Sequence, residues 1–87
     1  MPAGGSATFV VRVAQRIAQR RRDAGMTQED LADCLDTAVR NVQRMESGTQ
    51  NLTLGTLVRI AKALGTEPED LIGAVGPLER RPNKTRR

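Results

Sequence analysis

Residues 27–46 read TQEDLADCLDTAVRNVQRME, and no other stretch limits the fold as tightly. Leu31 and Leu35 fall one helical turn apart, and Val42 and Met45 fall three residues apart, so the segment carries two short apolar stripes on two helices. Asp36 and Thr37 leave room for nothing longer than a tight turn, which forces the helices to cross steeply with their stripes facing. Ala32, beside Leu31, is small enough to permit the close crossing. Thr27 can cap the first of the two helices with its hydroxyl. Asp30, three residues on, can reach back to complete a capping box, a place more often held by Glu or Gln. The internal spacing is that of a helix-turn-helix.

The rest of the chain reads as helices around this pair. Over residues 9–24 the apolar positions Val10, Val13, Ala14, Ile17 and Ala18 recur at three- and four-residue steps, and Gly25 ends the pattern. Residues 47–52 form a polar loop. Thr53 then offers a cap for a fourth helix with a buried face expected at Leu54, Leu57, Ile60, Ala61 and Leu64, closed by Gly65 in a left-handed C-terminal cap. A short fifth helix follows. Pro68 suits its first turn, Glu67 or Thr66 its cap, and Leu71 and Ile72 its buried side, before Gly73 and Gly76 break it. No strand pattern or internal repeat is present, so the expectation is an all-α domain over residues 9–75. Residues 1–8 are expected to form a flexible lead and residues 76–87 a basic, disordered tail.

Eighty-seven residues lie near the lower limit at which a chain folds on its own core without a disulfide or metal, and oligomerisation would help it. Cys34 is the sole cysteine, which excludes an intramolecular disulfide and fits a reducing cytoplasm. Residues 1–8 lack the basic start and apolar core of a signal peptide, and no apolar run is long enough to span a bilayer, so no membrane association is expected. With no histidine and one cysteine, zinc sites and histidine-dependent catalysis are excluded. Phe9, the single aromatic residue, cannot provide the stacking platform of a single-strand or RNA-binding sheet. The expectation is a protein without enzymatic activity, metal or cofactor.

The sequence pI of about 10.6 overstates the basic character of the domain. Of fourteen basic residues, Arg80, Arg81, Lys84, Arg86 and Arg87 lie in the tail with Glu79 as the one acid there, leaving nine basic and nine acidic side chains over residues 1–75. The local pattern carries more information than the total. Arg12, Arg16, Arg20, Arg21, Arg22, Arg40 and Arg44 cluster on two segments, while most acids lie at residues 29–36 and 67–70.

Residues 16–72 resemble the XRE family, the lambda-repressor-like or Cro-like helix-turn-helix domains of bacterial and phage regulators. Several elements occur in register: R-I-x-x-x-R at 16–21, M-T-Q-E-D-L-A at 26–32, M-E-S-G at 45–48 and L-x-x-L-x-x-I-A-x-A-L-G at 54–65. The resemblance implies a compact five-helix lambda-repressor-like DNA-binding domain with residues 38–47 as the recognition helix. It aligns Val39, Arg40, Gln43 and Arg44 with positions that face base edges in the major groove. The residue types suit that role, since Arg can pair with guanine, Gln with adenine and Val with a thymine methyl. The resemblance likewise assigns Gln28 to a phosphate contact at the start of the second helix, where backbone N–H groups also favour anions. Asn41, Ser47, Thr49, Gln50 and Asn51 are weaker phosphate candidates. Arg21 and Glu46 match a family ion pair bracing the first helix against the end of the recognition helix, although Arg21 can alternatively contact DNA. Two positions depart from the pattern. Asp36 stands where the turn usually has glycine, and Ala38 where the recognition helix usually begins with Ser or Thr; Asp tolerates a left-handed conformation, and Thr37 can supply the cap.

Several features carry two readings. Arg12, Arg16 and Arg20 form an i, i+4, i+8 row, read as a solvated face in preference to a phosphate contact. Cys34 is read as an inert, partly buried thiol in preference to a redox sensor. The tail can bind DNA through counterion release or act as a solubilising end. Leu71, Ile72, Val75 and Leu78 can be a core edge or, as a domain this short suggests, part of a homodimer. The expected function is a cytoplasmic, homodimeric transcription regulator reading an inverted-repeat double-stranded operator, as a phage-type repressor, a restriction–modification controller or an autoregulating antitoxin. The competing reading is an antitoxin with a toxin protein as its main partner.

Overall fold

The computed structural model describes the backbone of residues 2–73 and the side chains of residues 9–73; Val75, Leu78 and the expected basic tail lie outside the described residues. Five helices follow one another: α1 (Pro2–Asp23), α2 (Gln28–Leu35), α3 (Val39–Ser47), α4 (Leu54–Leu64) and α5 (Pro68–Ile72). The described part of the chain is all-α, and none of its helices is long and apolar enough to cross a membrane.

Helix α1 starts at Pro2, earlier than the periodicity from Phe9 predicts. Proline is well suited to a helix's first turn, where its missing N–H has no partner to lose. Residues 2–8 bring no apolar stripe, so a periodicity argument has nothing to detect there. Arg20, Arg21 and Arg22 in the last turn complement the helix dipole, and Gly25 takes the left-handed conformation that ends the segment, with φ 75°.

The short helices are fixed at their ends. At α2 the Asp30 N–H donates to Thr27 Oγ1 at 3.0 Å and the Thr27 N–H donates to Asp30 Oδ2 at 2.9 Å, a complete capping box. Asp36 ends α2 at φ 56° and ψ 50°, the left-handed conformation for which the family pattern uses glycine. The Thr37 N–H returns to the Ala32 carbonyl at 3.0 Å, satisfying an orphan carbonyl of the last turn. Arg59 of α4 adds a bond that no sequence pattern signals, its Nη2 donating to the Leu35 carbonyl at the same helix end. The Thr56 N–H donates to Thr53 Oγ1 at 3.0 Å, so Thr53 caps α4 as expected. At α3 the N-cap is Ala38, without a side-chain cap bond. Thr37 does not supply one, because its hydroxyl accepts from Asn41 Nδ2 at 2.7 Å instead.

The core is closed by one fully buried side chain from each helix: Ile17, Leu31, Val42, Ile60 and Leu71. Around them α1 packs on α3 and α5, α2 on α3 and α4, and α4 on α5. Truncating such a residue to alanine typically costs about 2–5 kcal/mol. Gly48, the C-cap of α3 at φ 78°, seals the α1–α3 contact, because a Cβ there would lie 3.0 Å from Val11 Cγ2 and 3.1 Å from Val11 Cα.

Three further expectations are corrected. Leu54 is 76% exposed; as the first residue of α4 it stands at the rim of a groove between α1, α5 and residues 50–52 instead of under them. Cys34 is exposed, because the buried arc of α2 runs through Leu31, Ala32 and Leu35 and Cys34 lies to one side of it. The Arg12–Arg16–Arg20 row is not uniformly solvated. Arg12 is exposed, but Arg16 Nη1 donates to the Asp70 carbonyl at 3.4 Å, and both Arg16 and Arg20 are near enough to favour a charged Asp70.

Two carboxylates in capping positions give the fold a pH dependence. Asp30 is held below the ordinary carboxylate range by the Thr27 backbone N–H and then by the Thr27 hydroxyl. Asp70 is held below it by the Thr66 hydroxyl at 2.6 Å, then by the Glu67 N–H at 3.2 Å, with Arg20 and Arg16 adding smaller contributions. Their stabilisation is complete above the unfolded-chain pKa of about 3.9 and drains as pH falls through the lower folded-state values. Urea denaturation across pH 2–6 should therefore show stability falling in acid, with a shallower fall in Asp30→Asn and Asp70→Asn than in the parent. Equal slopes in all three proteins would contradict this.

Candidate nucleic-acid interface

Helix α3 divides its side chains cleanly between the core and solvent. Val42 and Met45 are buried, and Val39 is half-buried against the core. At about 100° per residue this leaves Arg40, Gln43, Arg44 and Ser47 on the opposite face, and all four are exposed. Among the described residues, the side chains of Arg40, Gln43 and Arg44 make no hydrogen bond, so their donors are available to a ligand. Gln28, Val39 and Gln43 meet in one shallow depression together with Thr27 and Glu29, where the start of α2 faces the start of α3. The four side chains aligned with base-reading positions thus share one surface. Val39 belongs to it by its edge, the rest of its side chain serving the core.

The orientation of α3 is held by a three-helix polar junction. Arg21 of α1 donates to Glu46 of α3 through Nε at 2.7 Å and Nη2 at 3.1 Å, and its Nη1 donates to the Met26 carbonyl at 2.8 Å. The bidentate pair is largely shielded, with side-chain exposures of 11% and 7%. In this conformation Arg21 braces the fold and its guanidinium is not directed to solvent. Gln28 joins the same junction, its Nε2 donating to Glu46 Oε1 at 3.0 Å. One N–H of the Gln28 amide remains free, so the side chain is anchored by one proton and can offer the other to a phosphate oxygen.

The weaker phosphate candidates differ in what they have left to donate. Asn41 is half-buried with one amide proton on Thr37 Oγ1. Ser47 Oγ donates to the Arg44 carbonyl at 2.9 Å and lies 2.9 Å from Thr49 Oγ1. With both bonds formed, Thr49 must donate to Ser47 and neither hydroxyl proton is left over. Gln50 and Asn51 lie past the end of α3 and line the apolar groove beside Leu54. The sequence reading missed the contribution of Gln28 to the ion-pair junction. Its signal was the spacing that puts Gln28 at the first position of a helix packed against α3.

An exposed row of two arginines and a glutamine on the second of two steeply packed helices, braced from behind by a partly buried ion pair, is the geometry of a helix-turn-helix domain. The helix-turn-helix family model matches residues 17–71, and the chain belongs to that family. It is 36% identical over 72 residues to an uncharacterized HTH-type transcriptional regulator, y4wC, of Sinorhizobium fredii, a match covering 78% of the chain and 50% of that protein. The chain thus spans about half the length of this relative. It is 37% identical over 59 residues to control protein C.BamHI of Bacillus amyloliquefaciens, covering 67% of the chain and 73% of that protein. Among solved structures it is similar to the restriction-modification controller protein C.AhdI from Aeromonas hydrophila. The TM-score is 0.68 and the identity 32%, over 71% of this chain and 94% of that one.

The junction gives a direct stability test. Replacing Glu46 by alanine leaves the Arg21 guanidinium shielded without its carboxylate, and a loss of about 3–5 kcal/mol is expected in urea denaturation. The double variant Arg21→Met/Glu46→Leu should lose less than either single alanine variant, since no charge is left unpaired. A single-variant loss below about 1 kcal/mol would show the pair to be as weak as a surface salt bridge.

Proposed function

We propose that the chain acts as a cytoplasmic homodimer that recognises an inverted-repeat operator, with α3 of each copy in the major groove. The exposed, unbonded row of Arg40, Gln43 and Arg44 on α3 carries this reading. Arg40 and Arg44 each pair two donors with O6 and N7 of guanine, Gln43 bonds adenine through N6 and N7, and the edge of Val39 packs on a thymine methyl. Gln28, with the backbone N–H groups that open α2, takes a phosphate and fixes the register, with Asn41, whose second amide proton is uncommitted, at the margin of the contact. Nothing in this role calls for catalysis, a metal or a cofactor.

Among regulatory settings, control of a restriction–modification system has the best support, from the likeness to C.BamHI and C.AhdI. No relative described above supports a toxin partner.

Arg40→Ala and Arg44→Ala are each expected to weaken operator binding by about 1–3 kcal/mol and to relax preference at one or two base pairs. Affinities measured on operator variants would defeat the assignment if both proteins kept the parent's specificity. The dimer reading has its own test. A short helix reads too few bases alone, so a footprint should show two half-sites about one helical turn (10–10.5 bp), or a multiple of it, apart. A footprint without inverted symmetry, with one chain per duplex in native mass spectrometry, contradicts it.

A further inference from the structure

Helix α2 ends without a cation of its own. Helices α1, α3 and α4 each carry a basic residue in the last turn, where it offsets the partial negative charge of the unpaired carbonyls, and α2 carries none. Arg59 of α4 supplies the missing charge from outside the helix, its Nη2 donating to the Leu35 carbonyl at 2.6 Å. Among the described residues no backbone N–H reaches that carbonyl: the Asp36 N–H turns back to Ala32 and Asp33, and the Thr37 N–H to Ala32. The guanidinium thus grips the last residue of α2, just before the chain turns into α3 at Val39.

We propose that Arg59 is a positioning residue for base recognition, which sets the direction in which the turn delivers α3. The proposal rests on the base-reading role of α3 proposed above and adds a residue that touches neither DNA nor α3. The firm anchors of α3 lie in its middle and at its C-terminal end: Val42 and Met45 are buried, and Glu46 is held by Arg21. Ahead of Val42 the hold is weaker. Val39 is half-buried, the N-cap Ala38 makes no side-chain bond, and the Thr37 hydroxyl is taken by Asn41 of α3 itself. Asp36, at φ 56°, stands in a conformation that favours glycine, so the turn does not hold its shape by residue preference alone. The bond from Arg59 fastens this weak end to α4, and a charged donor makes it stronger than a neutral hydrogen bond. Without it α3 can tilt about Val42. Val39 and Arg40, on the unbraced side of that pivot, would move most, and Arg44, between the pivot and the Glu46 brace, least.

The test compares the full chain with Arg59→Met and Arg59→Lys on a duplex that the parent selects from a random library, and on single-base-pair variants of that duplex. Arg40→Ala and Arg44→Ala identify the base pairs that each arginine reads. Met keeps the aliphatic stem and removes the donors, and because Arg59 is an exposed residue of α4 the variant should keep the parent's helicity in circular dichroism. Arg59→Met should bind the selected duplex about three- to thirtyfold more weakly than the parent, a range typical of residues that act on a site without touching it. Its affinity for an unrelated duplex should stay unchanged, and its preference should relax at the base pair read by Arg40 more than at the one read by Arg44. Arg59→Lys, which can still donate to the Leu35 carbonyl, should recover most of the preference. A folded Arg59→Met with the parent's preference, or one that weakens on both duplexes alike, overturns the proposal and leaves the base-reading role of α3 standing. Loss of helicity in Arg59→Met also overturns it, since the bond then serves the fold and not the aim of α3. If neither Arg40→Ala nor Arg44→Ala changes any preference, the base-reading role itself falls, and the role of Arg59 with it.

Discussion

The domain depends on one core to which each of its five helices contributes a fully buried side chain. Ile17, Leu31, Val42, Ile60 and Leu71 come from five different helices and are almost wholly removed from solvent. A helix of five to eleven residues is too short to persist alone in water, so α2 to α5 owe their existence to this contact and to their caps. With one cysteine in the chain, no intramolecular disulfide can supplement it. The consequence for function is that α3 cannot be repositioned independently, since Val42 belongs to the same core as the other four.

The Arg21–Glu46 pair adds orientation to burial. Hydrophobic contact is not directional and would tolerate some rotation of α3 about its axis, but a bidentate guanidinium–carboxylate pair at 2.7 and 3.1 Å does not. Gln28 extends the same constraint to the start of α2. A phosphate held at Gln28 and bases read by Arg40, Gln43 and Arg44 would thus be referred to one rigid frame. Their donors then arrive already arranged, which lowers the ordering cost of binding.

Much of this was legible in the sequence because it is encoded locally. The capping box of Thr27 and Asp30, the Thr53 cap, the left-handed Gly65 and the stripe of α3 all follow from residue type and spacing, whereas the left-handed Asp36 follows from the glycine that the family places there. The ion pair came through resemblance, as no spacing rule links positions 21 and 46. Leu54 was misplaced for a physical reason. Periodicity says which side of a helix an apolar residue occupies but not where the neighbouring helices end. The bond from Arg59 to the Leu35 carbonyl spans 24 residues and leaves no pattern at all. Cys34 shows the same limit at finer scale, since a residue next to the buried arc can still point outward. The helical start at Pro2 was invisible because it carries no apolar signal.

In the proposed complex α3 meets the bases while α1 braces it from behind. The most direct measurement is an amide NMR titration of the labelled protein with a duplex selected by the protein itself from a random library. Shift changes should gather at Gln28 and along residues 39–44, with smaller changes at 47–51. Changes centred on Arg12, Arg16 and Arg20 of α1, with α3 unmoved, would contradict it.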